Sequence, residues 1–64
     1  MNKWLRAELD YWQSQKTQSL ATLELYFNNS VGIGEHSDIM EAIQAELDEI
    51  AKHTDRIEAI ETYF

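Results

Sequence analysis

The sequence predicts an all-α fold: a two-helix antiparallel hairpin that self-associates into a four-helix or larger bundle. Three observations point there. The 64-residue chain has no proline, and its only glycines, Gly32 and Gly34, sit at the midpoint, so it reads as two long segments around one break. Both segments repeat apolar residues at helical spacing. A single domain of this length also seals too little core for one isolated hairpin.

The second segment, about 38–63, has the clearer pattern. Ile39, Ile43, Leu47, Ile50, Thr54, Ile57, Ile60 and Phe64 follow steps of four, four, three, four, three, three and four, which keeps them on one helical face. Ser37 and Asp38 offer oxygens to cap its start, and Asp38 with Glu41 has capping-box spacing. Glu41, Asp48 and Asp55 recur every seven residues and belong on the solvent side.

The first segment, about 2–28, is less regular. Its stripe is Leu5, Leu9, Trp12, Lys16, Leu20, Leu23 and Phe27, with Trp4, Tyr11 and Tyr26 alongside. Lys16 interrupts the stripe, which lysine tolerates by laying its methylenes on apolar surface and carrying the ammonium outward. Asn2 is placed to cap the start, and Asn28-Asn29 to end the helix. The linker 29–37 exceeds a tight helical turn, and Val31 and Ile33 are expected to tuck under the bend.

Charge divides unevenly. Residues 1–32 carry three basic and three acidic side chains, and residues 33–64 two basic and nine acidic, so the whole net charge of −7 lies in the second half. The chain has no cysteine, which excludes disulfides, thiolate metal sites and a cysteine nucleophile. It has no apolar run near the roughly 20 residues that span a bilayer, and its polar start is unlike a signal peptide. A cytoplasmic, membrane-free protein is expected, in which the Asn28-Asn-Ser30 sequon is accidental.

No chemistry-bearing constellation emerges. His53 follows Glu49 by four residues, whereas di-iron bundles use Glu-x-x-His, so it reads as an exposed or interface histidine. His36, between Glu35 and Asp38, reads as part of a polar helix start. Gly32-Ile-Gly34 lacks the further glycine or the lysine of a phosphate loop. Carboxylates on a two-layer hairpin lack the shelter that acid–base catalysis needs. The expectation is a protein that is not an enzyme and carries no cofactor or metal.

Binding remains. Two packed helices leave flanks that nothing covers, and a homo-oligomer, a dimer above all, buries them with one symmetric interface. The core and oligomer interface are expected to comprise Leu5, Leu9, Trp12, Leu20, Leu23, Phe27, Ile39, Ile43, Leu47, Ile50, Ile57, Ile60 and Phe64. Glu41, Asp48, Asp55 and Glu58 form an acidic face suited to a basic protein partner. A nucleic-acid regulator would instead use Lys3, Arg6 and Lys16 beside Trp4, Tyr11 and Trp12, although the acidic balance opposes phosphate binding. A purely structural bundle module is the third alternative.

The run Val31-Gly-Ile-Gly-Glu-His-Ser-Asp-Ile39, with the closing Ile60-Glu-Thr-Tyr-Phe64, resembles short hypothetical proteins of tailed bacteriophages, marine ones included. The likeness spans the linker and second helix. It implies a phage accessory protein acting in a bacterial cytoplasm, and carries over no functional residue.

Overall fold

A computed structural model describes the backbone of residues 1–29 and 36–64 and the side chains of 1–28 and 38–64. Two α-helices, α1 (Lys3–Asn29) and α2 (His36–Tyr63), pack along each other as a hairpin. The expected tuck of Val31 and Ile33, and the side chains of Asn29, His36 and Ser37, lie outside the described residues. The molecule is a rod of 49 × 14 × 13 Å. Its radius of gyration, 14.9 Å, compares with about 11 Å for a globule of this length.

Local chemistry accounts for both helices. The Leu5 N–H donates to Asn2 Oδ1 at 2.9 Å and the Arg6 N–H to the Asn2 carbonyl at 3.0 Å, so Asn2 is the N-cap of α1. The polar middle of α1 stays helical while Thr17 and Thr22 donate their hydroxyls to the carbonyls of Gln13 and Gln18, each at 3.0 Å. The α2 helix begins at His36, two residues before the expected start, so Asp38 sits within its first turn, where a carboxylate favours the helix dipole.

The seam differs from the stripes read off the sequence. With Gln15, Thr22, Ala42 and Thr54 half-buried at its margins, its central line runs on α1 through Leu5, Leu9, Trp12, Lys16, Ser19, Leu23 and Tyr26, and on α2 through Ile39, Ile43, Glu46, Ile50, His53, Ile57 and Ile60. Both series step by four and three in strict alternation. That is the 3.5-residue repeat of two helices that wind around each other. The expected stripes contain consecutive steps of four, and each step of four turns a stripe about 40° around an α-helix. Ser19, Tyr26, Glu46 and His53 therefore take the seam places assigned to Leu20, Phe27, Leu47 and Thr54.

Leu20, Phe27 and Leu47 lie outside the hairpin's own core, at 49%, 60% and 51% of their full accessibility, so of the two roles expected of them, core or oligomer interface, the first is excluded within one hairpin. Phe64, at 72%, is likewise outside the core because the seam ends at Ile60. The remaining expected core residues are buried or half-buried. Leu9, Ile57 and Ile60 form a buried apolar cluster, with Leu5 and Trp12 packed against it.

Candidate functional site

The contacts at Leu9 and Trp12 set the antiparallel register. Trp12 stands against His53 and Leu9 against Ile57 and Ile60. About one heptad further along, the same register brings Leu20 level with Leu47, and about two heptads along Phe27 level with Met40; about one heptad back it brings Arg6 level with Glu61. A two-fold axis perpendicular to both helices relates an antiparallel pair, so equivalent heptad places flank the seam on the same side. The hairpin thus has two unlike flanks.

One of them, the leucine flank, carries Arg6, Gln13, Leu20 and Phe27 of α1 and Met40, Leu47, Thr54 and Glu61 of α2, each series spaced by seven. It is polar toward the chain termini and apolar toward the connected ends of the helices. Met40 is 53% exposed there, beside the exposed Leu20, Phe27 and Leu47.

The other, the tryptophan flank, is polar and internally bonded. The Trp12 Nε1–H donates to Glu8 Oε2 at 3.1 Å, and the Arg56 guanidinium lies 4.1 Å from the centre of the Trp12 ring. Tyr11 meets Trp12 edge-on at 4.8 Å. Glu49 Oε2 pairs with Lys52 Nζ at 2.8 Å and stands 3.6 Å from His53 Nε2. The hydrogen bond from Lys52 lowers the Glu49 pKa from its ordinary value; desolvation opposes it, and the neighbouring charges of Lys52 and Arg56 add to the lowering. An open hollow of about 450 Å³ lies on the back of α1, lined by Trp4, Ala7, Glu8, Tyr11 and Trp12.

His53 is the residue that the sequence reading placed least well. It is buried, at 3% exposure, and its Nδ1 has no hydrogen-bond partner. Its signal was present in the spacing: residues 39, 46, 53 and 60 recur every seven places, as do 5, 12, 19 and 26. Polarity at 19, 46 and 53 concealed it. No group of three His, Cys, Asp or Glu side chains able to hold a metal ion occurs among the described residues.

Glu41, Asp48 and Asp55 are exposed on the side of α2 opposite the seam, with Glu58 exposed beside them. Successive members of the row are about 10 Å apart along the helix axis, close to the screening length at physiological salt. A shallow groove of about 250 Å³, lined by Asp55, Glu58, Ala59, Thr62 and Tyr63, borders it.

The three cations expected for nucleic acid do not gather. Lys3 and Arg6 share the first turns of α1, where Lys3 Nζ lies 5.6 Å from the Trp4 ring centre. Lys16 is half-buried in the seam, about 15 Å beyond Arg6 along the axis. No described helix is long and apolar enough to cross a membrane. Comparison of the chain with protein-family models, curated proteins and solved structures finds no match.

Proposed function

We propose that this chain is a homo-oligomeric helical-hairpin module that works by binding other proteins, as an adaptor rather than a catalyst. The observation that carries the reading is the imbalance between core and surface. Among the described residues no large side chain is fully buried, while Trp4, Tyr11, Leu20, Leu47 and Met40 are about half exposed or more. Exposed apolar surface on so small a protein marks an interaction site. The open hollows and the exposed carboxylates of α2 offer binding surface and no sheltered acid–base pair.

The outward row of Glu41, Asp48, Asp55 and Glu58 supplies the face toward a partner, and its charge selects a basic one. Bacteriophage accessory proteins, which the linker and second helix resemble, are a setting in which such an adaptor would act on a host or phage protein.

Light scattering across a dilution series, with helicity followed by circular dichroism, tests the first half of this reading. A mass at least twice that of the chain, and helicity that falls on dilution, is the expected result. A stable helical monomer at every concentration overturns it. Binding of a basic protein that survives joint replacement of Glu41→Gln, Asp48→Asn and Asp55→Asn would remove the acidic row from the proposal.

A further inference from the structure

The leucine flank identifies what covers it. We propose that a second copy of this chain seats on that flank, about a two-fold axis parallel to the rod, so that α1 of each hairpin lies against α2 of the other; this rests on the homo-oligomeric reading above.

Area is the first argument. A compact monomer of 7.5 kDa exposes about 4,250 Å², whereas this chain exposes 4870 Å². The surplus, about 600 Å² per copy against that norm, amounts for two copies to the lower end of the surface that a stable dimer buries, about 1,200 Å².

The pattern on the flank is complementary to itself under that axis. Leu20 is level with Leu47, and Arg6 with Glu61, one residue of each pair on either helix. A two-fold axis along the rod brings Leu20 of one copy opposite Leu47 of the other, and Arg6 opposite the other copy's Glu61. Apolar level meets apolar level and cation meets carboxylate, with no change of register.

Charge decides the orientation. The other two-fold arrangement, with the copies end for end, sets α2 beside α2, and residues 33–64 carry the entire net charge of −7. Setting the neutral half against the acidic half avoids that repulsion. Neighbouring helices are antiparallel in either arrangement, the usual geometry of a four-helix bundle, so charge and not helix direction separates the two. The outward rows of Glu41, Asp48 and Asp55 stay free of the interface.

Sedimentation equilibrium of the wild type, Leu47→Glu and Ala45→Glu tests the flank. Ala45 is exposed and nearly level with Leu47 but off the leucine flank, so both variants add the same charge at the same height. Leu47→Glu is expected to raise the dimer dissociation constant at least about 30-fold, and Ala45→Glu to change it little. An unchanged Leu47→Glu dimer overturns the flank while self-association stands. A wild-type monomer overturns both.

Cysteine pairing tests the axis, because the chain has no cysteine of its own. Leu20→Cys and Leu47→Cys chains, mixed in equal amounts and oxidised, are expected to form mixed disulfides above the statistical half. Mixed disulfides at or below that share, with like joined to like, overturn the parallel axis.

Discussion

The indole of Trp12 stacks on the imidazole of His53 across the seam, with ring centres 5.4 Å apart and planes 29° from parallel. The stack occupies a layer where a coiled seam ordinarily places aliphatic side chains. It is worth about 1 kcal/mol, whereas the unpartnered Nδ1 of His53 costs about 1–3 kcal/mol. Replacement of His53 by Leu is therefore expected to stabilise the hairpin by about 1 kcal/mol and to raise the melting temperature by about 4–8 °C at fixed protein concentration. A lower melting temperature would show that the stack outweighs the orphaned nitrogen.

Trp12 also couples to Arg56 through the ring face. A double-mutant cycle of Trp12→Ala and Arg56→Ala, followed by urea unfolding, is expected to give a coupling of about 0.5–1 kcal/mol. Arg56→Ala made in the Trp12→Ala background should cost almost nothing. Equal costs in both backgrounds would place the guanidinium's contribution elsewhere.

Ile57 is 8% exposed and belongs to the buried cluster with Leu9 and Ile60. Ile57→Asp puts a carboxylate there without a partner and is expected to cost several kcal/mol, enough to abolish cooperative helix melting. Asp55→Asn, two residues away on the solvent side, is expected to stay within about 0.5 kcal/mol of wild type. Circular dichroism melts of the two variants check both expectations.

Asn2 holds the first turn of α1 through its side-chain oxygen. Asn2→Ala is expected to cost about 1 kcal/mol, and to speed amide exchange at Leu5 and Arg6 before it affects the middle of the helix. Uniform acceleration along α1 would count against a capping role.

Glu49 provides the pH-dependent element. Its folded pKa lies below the ordinary value, chiefly through the Lys52 hydrogen bond. The unfolded state therefore binds the proton more tightly, and the contribution to stability is present above the ordinary carboxylate range. It is lost as pH falls through the lowered folded value. Because the pair is exposed, the effect on stability is small. Lys52→Ala is expected to bring the Glu49 titration, followed by NMR, back upward; an unmoved titration would assign the shift to the more distant cations.

Several features of this hairpin could be read from single helices. The missing proline and the central glycines mark one break between two long helices because those residues act on their own backbone. Glu41, Asp48 and Asp55 could be assigned to solvent because a seven-residue spacing keeps them on one side of α2, away from Ile43, Ile50 and Ile57. The Asn2 cap depends on an atom three residues from the amide it receives. Each of these signals is carried within a few residues of chain.

The choice between neighbours was made by the partner helix. Ser19 or Leu20, Tyr26 or Phe27, Glu46 or Leu47, and His53 or Thr54 are adjacent places about 100° apart on one helix. Hydrophobicity alone selects the leucines and Phe27. Two long helices remain in contact only along lines that repeat every 3.5 residues, and those lines pass through Ser19, Tyr26, Glu46 and His53. Continuity of contact over the length of the rod thus outweighs the burial of individual leucines. That is why polar side chains enter the seam and Leu20 and Leu47 are left on a flank for another surface to meet.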